Sequence, residues 1–191
     1  VGSEVVAFDD GYSIPVGPGI LGRVVDALGQ PLDGNMIHGV NESWPLAGES
    51  INPLNRLPVN SPLDVGVRII NSLLTVGKGQ RLGIIAGSGV GKSTLMGQIA
   101  RNTEAEVVVV CLIGERGREV RDFIEESLGE EGVAKSVMVV ATSNAPSLVR
   151  LKSAFVTTAI AEWFRDQGKK KKTFSNTLKH LQTHRRVNLN D

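Results

Sequence analysis

At 191 residues, 41% of them hydrophobic, the chain is long enough for one full domain and part of another, and it can bury a sizeable core. Its single cysteine, Cys111, excludes an internal disulfide; no run of about eighteen apolar residues and no basic-then-apolar leader occur, so neither a membrane span nor a secretory signal is expected and a cytoplasmic location is the default. The net charge of +1 is uneven: residues 169–191 hold seven Lys/Arg and one acid, which leaves the remainder acidic, and with few aromatics and no basic stripe in that remainder no nucleic-acid partner is expected.

Residues 1–25 carry short β-type runs, Glu4–Phe8 and Ile20–Val25, divided by Asp10-Gly11 and Pro/Gly turns, and read as the end of a small β domain. Within them, Gly17-Pro18-Gly19-Ile20-Leu21-Gly22 formally fits a dinucleotide fingerprint, but more strand-and-turn sequence follows it where a helix is required, so these are expected to be turn glycines. The proline-rich stretch 41–62 reads as a long linker. From residue 64 apolar runs alternate with amphipathic segments, the pattern of a mostly parallel α/β sheet: strands are predicted near 81–86, 107–113 and 136–141, and helices near 64–74, 92–102, 117–128 and 146–167. Cys111 falls in the second strand and is expected to be buried there. In the helix 117–128, Val120, Phe123, Ile124 and Leu128 share one face; in 146–167, Leu148, Leu151, Phe155, Ala159 and Trp163 do so, and both stripes read as core.

Between the predicted strand 81–86 and the helix 92–102 lies Ala86-Gly87-Ser88-Gly89-Val90-Gly91-Lys92-Ser93-Thr94. This is a phosphate-binding loop in its proper strand-to-helix setting. Its glycines let consecutive backbone N–H groups turn inward on phosphates, Lys92 brings a point charge to the outer ones, and the Ser93 hydroxyl is suited to an Mg²⁺ shell. Gly87, Ser88, Gly89, Val90, Gly91, Lys92, Ser93 and Thr94 are therefore the candidate nucleotide-binding residues, with a nucleoside triphosphate and Mg²⁺ as ligands. A second cluster, Gly114-Glu115-Arg116-Gly117-Arg118-Glu119, ends the strand 107–113, where parallel sheets place ligand-contacting groups. A carboxylate there can orient a water for attack on a γ-phosphate; charge pattern alone leaves a plain surface turn equally open.

These two clusters, with Ala141-Thr142-Ser143-Asn144-Ala145-Pro146 and Phe164-Arg165-Asp166-Gln167-Gly168, resemble the export ATPases of flagellar and type III secretion systems, relatives of rotary ATP synthase catalytic subunits. Gly22–Gly34, Asp64-Val65-Gly66-Val67-Arg68 and Gly77-Lys78-Gly79-Gln80-Arg81 are similar to the same family, so the resemblance runs from about residue 1 to 170. It implies a RecA-like P-loop NTPase of the α/β class, a mostly parallel sheet flanked by helices, preceded by the end of a small β-barrel. The corresponding domains are residues 1–25 (barrel remnant), 26–168 (an incomplete nucleotide-binding domain) and 169–191 (a basic tail). Carried to matching positions, the resemblance implies that Glu115 polarises the attacking water, that Arg116 and Lys92 act with it near the γ-phosphate, and that Ser93 and Glu119 serve the metal, Glu119 from its second shell. It further implies ATP hydrolysis coupled to protein export, a hexameric homo-oligomer, export-apparatus partners and a cytoplasmic place at the inner face of the membrane. Alternatives are a rotary ATP synthase or vacuolar-type subunit, against which Asp64-Val65-Gly66 and the Ala-Gly-Ser-Gly-Val loop speak, and a nucleotide-binding module that turns nothing over.

The chain departs from the family pattern at two places. Asn144 stands where an Asp is expected, and after Gly168 the family's apolar strand ending in a metal-organising Asp is replaced by Lys169-Lys170-Lys171-Lys172-Thr173-Phe174-Ser175-Asn176. No strand is expected there. The arginine finger, the adenine-packing aromatic and the C-terminal domain are not found either, so hydrolysis is expected to be weak. The lysine run marks a tract where a reading frame can slip, and the tail is expected to be an out-of-frame product. His180 and His184 share an i, i+4 spacing, but without a third ligand no metal site is expected of them.

Overall fold

In the computed structural model the described residues are 13–48, 52–56, 58–87, 89–167 and 173–174. The run Glu4–Phe8, Ser88, and most of the basic tail with His180 and His184 lie outside them.

Residues Val107–Ile113 (β4) and Ser136–Ala141 (β5) form the centre of a parallel sheet, in register from Val108 opposite Ser136 to Ile113 opposite Ala141. Both strands are continuous apolar runs because both faces are covered, as parallel sheets require. Alternation then divides the side chains into two cores. Val107, Val109, Cys111, Val137 and Val139 pack against Val156, Ala159, Ile160 and Trp163 of helix α5 (Ser147–Gln167) and against Ile14 and Val16 of strand β1 (Ser13–Val16). Val108, Val110, Leu112, Met138 and Val140 face the other way, onto Met96 and Ala100 of α2 (Lys92–Asn102) and Val120, Phe123 and Leu128. The last three belong to α3 (Gly117–Asp122) and the π-helix Phe123–Leu128 that continues it; α4 (Gly129–Ala134) then leads to β5. Cys111 is buried as expected.

The N-terminal part joins this body. The two-residue strand β2 (Val24–Val25) pairs parallel with β5, while β1 pairs antiparallel with β3 (Glu42–Pro45). The stretch 41–62 is thus more structured than a linker: besides β3 it holds a 3₁₀ turn, Pro53–Asn55. Trp163 Nε1 of α5 donates to Glu42 Oε2 at 2.9 Å, tying β3 to the helix. The residues Gly17–Gly22 are turn glycines as read: Pro18–Ile20 is a short 3₁₀ turn and strand β2 follows it. A third core of Leu63, Val65, Ile70, Val76 and Ile99 seats the short helix α1 (Arg68–Leu73) against α2; it covers only the second half of the helix expected over 64–74.

Three further expectations need correction. The run 81–86 is apolar but is not a strand: among the described residues the main sheet runs β2-β5-β4 and then Thr173–Phe174 (β6), and offers this segment no ladder. Ile84 alone reaches the cores, while Ile85 is 99% exposed. Apolar character favours burial, but a strand also needs a neighbour for its backbone N–H and C=O groups. Conversely, where no strand was expected after Gly168, Thr173–Phe174 (β6) lies parallel to β4, opposite Val107 and Val108. Finally, α5 buries a face rotated from the expected one. Ala159 and Trp163 are buried, but Leu148, Leu151 and Phe155 are exposed, and Ser153, Val156, Thr157 and Ile160 take the inner positions. Ser153 and Thr157 tolerate burial because their hydroxyls donate to the Arg150 and Ser153 carbonyls of their own helix, at 2.7 Å each.

Candidate functional site

The loop before α2 has the backbone that a phosphate cradle needs. Gly89 (φ 77°) and Gly91 (φ 91°) occupy the left-handed region, which side-chain-bearing residues rarely adopt. A Cβ at Gly87, Gly89 or Gly91 would meet nothing within 4 Å, so these glycines serve backbone conformation and an open concavity, not packing. Gly91 caps α2, Lys92 is its first residue, and Ser93 and Thr94 lie exposed in its first turn. No acidic residue sits in that turn, so the positive end of the helix dipole remains available to an anion. The helix is held from behind by buried Met96, Gly97, Ile99 and Ala100. Open amides, a cation and a hydroxyl at a helix N-terminus are the donor set that a polyphosphate with Mg²⁺ calls for. Among the described residues no cluster of three or more His, Cys, Asp or Glu forms a metal site by itself.

Glu115 is placed by the end of β4. The chain turns at Gly114 (φ 79°), whose N–H donates to Ala141 O at 2.7 Å, and Ser143 N–H donates to Glu115 O at 2.9 Å. The ends of β4 and β5 are thereby pinned together. Arg116 N–H donates to Glu119 Oε2 at 3.2 Å, capping α3, while the Arg116 side chain is exposed. Glu115, half-buried, hydrogen-bonds through its side chain to Glu119. Burial first, and then the hydrogen bond and negative charge of Glu119, push the Glu115 carboxyl up to about 7; the Lys92 ammonium pulls the other way. Glu119 is held below its ordinary range by the hydrogen bond from Glu115 and by the Arg116 N–H. The pair divides its proton unequally: Glu115 holds it and Glu119 carries the charge.

The fold therefore brings Lys92, Glu115 and Glu119 into one electrostatic group, with Gly89–Thr94 beside them and Arg116 at the rim. Ser88 lies outside the described residues. The contact that sequence reasoning left unassigned is the Ser143 N–H bond that fixes the Glu115 backbone; its only signal was the position of Thr142-Ser143 at the end of a second parallel strand.

A family model described as the ATP synthase alpha/beta family, nucleotide-binding domain, matches residues 66–190. The chain is 56% identical over 170 residues to the flagellum-specific ATP synthase of Bacillus subtilis, covering 87% of this chain and 38% of that protein. It is 50% identical over 166 residues to the type 3 secretion system ATPase of Xanthomonas euvesicatoria, with 87% and 38% covered. Among solved structures it resembles the assembled ATPase EscN in complex with its central stalk EscO from the enteropathogenic E. coli type III secretion system, with a TM-score of 0.79 and 46% identity over 86% of this chain and 40% of that one. A prototypical ATPase from the type III secretion system of pathogenic bacteria gives a TM-score of 0.78 at 47% identity, over 82% and 45%. The chain thus spans less than half the length of these relatives. The family model spans more than half of the chain, from α1 through β5 and α5, and the chain therefore belongs to the ATP synthase alpha/beta family and carries sequence of its nucleotide-binding domain.

Proposed function

We propose that this chain binds ATP with Mg²⁺ at residues 87–94 and is the nucleotide-binding part of an ATPase that energises protein export through a flagellar or type III secretion apparatus. The observation that carries this reading is the apposition of Lys92, at the first turn of α2, to the Glu115–Glu119 pair at the end of β4. The loop amides and Lys92 neutralise the β- and γ-phosphates, and Ser93 offers its hydroxyl to the metal, which supplies Lewis-acid neutralisation of phosphate charge when bound. Glu115, deprotonated, orients and polarises a water in line with the γ-phosphorus; a bond forms from that water oxygen to phosphorus as the bond to the β–γ bridging oxygen breaks. The water's proton passes to Glu115, which then donates a hydrogen bond to charged Glu119, and Arg116, next in the chain, offsets charge on the γ-phosphoryl oxygens. The reading includes assembly with further copies into a hexameric ring and export proteins as partners at the cytoplasmic face of the membrane; that one solved relative is an assembled ATPase in complex with a central stalk supports it. Identities of 56% over 170 residues and 50% over 166 residues to a flagellar and a type 3 secretion relative favour this over a rotary synthase subunit.

Calorimetric titration tests the reading. ATP is expected to bind more tightly than AMP by at least about tenfold, since each charge-assisted contact to the outer phosphates contributes roughly 1.5–3 kcal/mol. Equal affinities would overturn it.

A further inference from the structure

The two halves of the candidate site ride on different helices. Lys92 and Ser93 open α2, whereas Glu119 lies on α3, which continues into the π-helix Phe123–Leu128. Where the two helices meet, α2 carries no side chain at Gly97. A Cβ built on buried Gly97 would stand 2.6 Å from both Cβ and O of Ser127 and 2.8 Å from its carbonyl carbon. Two of these three atoms are backbone and cannot swing aside, so any side chain at 97 forces the helices apart by about 1 Å to reach ordinary contact distance. Ser127 lies within the π-helix, whose wider i→i+5 turn carries one more residue per loop of backbone than an α-helix. Gly97 is five residues from Lys92, about 7.5 Å along the helix axis. Around the seat, Met96 and Ala100 pack in the same core as Val120, Phe123 and Leu128.

We propose that Gly97 is a positioning residue: by letting the α2 backbone rest directly on Ser127 of the π-helix, it sets the separation between Lys92 and the Glu115–Glu119 pair. The inference rests on the proposed function for its catalytic meaning, but the separation itself is a property of the chain without nucleotide. Displacements of about 1 Å are enough to cost roughly 10²-fold in a reaction that depends on alignment, so Gly97→Ala is expected to act on the chemistry even though alanine is the better helix former.

Zero-length carbodiimide cross-linking of the nucleotide-free chain, read by mass spectrometry, measures the separation. The amide link from Lys92 to Glu115 or Glu119 is normalised to the Lys78–Glu104 link, an ion pair at 3.1 Å. Gly97→Ala is expected to lower this ratio about fivefold, in keeping with a loss of contact-distance alignment. Met96→Leu, a volume-conserving change one residue away, leaves it within about twofold. Adding Ser127→Gly to Gly97→Ala restores part of the yield, because one of the clashing atoms is removed. An unchanged ratio in Gly97→Ala, an equal fall in Met96→Leu, or no Lys92 link in the unmodified chain would overturn the proposal. Should Gly97→Ala lose the fold, Ser127→Val presses on the same contact from the other helix and is expected to lower the ratio; no change there is equally contrary. Failure of ATP to bind would remove the functional reading while leaving this distance test intact.

Discussion

Replacing Glu115 by Gln mimics the protonated carboxyl and separates its titration from its shape. Glu115 sits up at about 7 from an ordinary 4.5, with burial and the Glu119 hydrogen bond as the main causes. Between pH 4.5 and about 7 the folded chain therefore binds a proton that the unfolded chain has released. Stability from this group is complete below 4.5 and is lost as pH rises through about 7. At about 1.36 kcal/mol per unit the full displacement corresponds to roughly 3 kcal/mol, and solvent screening of a half-exposed carboxyl reduces this to about 1–2 kcal/mol. Glu119 moves the opposite way, held below its ordinary range, so its contribution is lost only as pH falls below that range. Urea denaturation of both proteins at pH 5 and pH 8 reads the difference. The native chain is expected to lose about 1–2 kcal/mol more than Glu115→Gln over that interval, leaving the variant the more stable at pH 8. Parallel profiles would show that Glu115 is neither desolvated nor coupled to Glu119, and the acidic pair would fall with them.

Ile160→Ala empties a fully buried position between α5 and β4 and is expected to cost about 2–5 kcal/mol, read as a lower urea midpoint; a loss below about 1 kcal/mol would contradict the packing. Leu151→Gln, on the exposed stripe of α5, is expected to change stability by no more than about 0.5 kcal/mol, and a core-sized loss would return Leu151 to the buried face. Glu42→Ala removes the acceptor of the Trp163 indole and is expected to destabilise by about 1 kcal/mol with a shift in tryptophan fluorescence; no shift would mean that β3 is not held to α5.

The parts of the fold most legible in the sequence are those where one signal suffices. Val107–Ile113 and Ser136–Ala141 are continuous apolar runs bounded by polar residues, and the structure places both as central strands with these limits. Helix α2 begins at Lys92 because Gly91 supplies a left-handed cap that the phosphate-loop pattern already contains. Misreadings arose where a tertiary partner decides. The residues 81–86 have strand composition but no ladder among the described strands, and Thr173–Phe174 has no alternation but gains a ladder from β4. On α5 the leucines at 148 and 151 outweighed Ser153 and Thr157 in hydropathy, yet the hydroxyls satisfied within the helix are what the sheet accepts. The π-helix leaves no periodic signature, since Val120, Phe123, Ile124 and Leu128 fit an α-helical stripe equally well. In the candidate site the residues were readable but their coupling was not: the four-residue spacing of Glu115 and Glu119 permits a pair, while the proton's place depends on the burial of Glu115 and on the Arg116 N–H bond to Glu119.

Titration of ATP into the unmodified chain and into Lys92→Ala, by calorimetry with far-UV circular dichroism on the same samples, tests the central claim most directly. Lys92 is half-buried at the head of α2 and faces Glu115, so its loss removes the cation over the outer phosphates without emptying the core. The affinity is expected to fall by about 10- to 150-fold, the equivalent of one charge-assisted contact of roughly 1.5–3 kcal/mol, with helicity unchanged. Equal ATP affinity in two equally folded proteins would contradict the assignment of residues 87–94 as the nucleotide site.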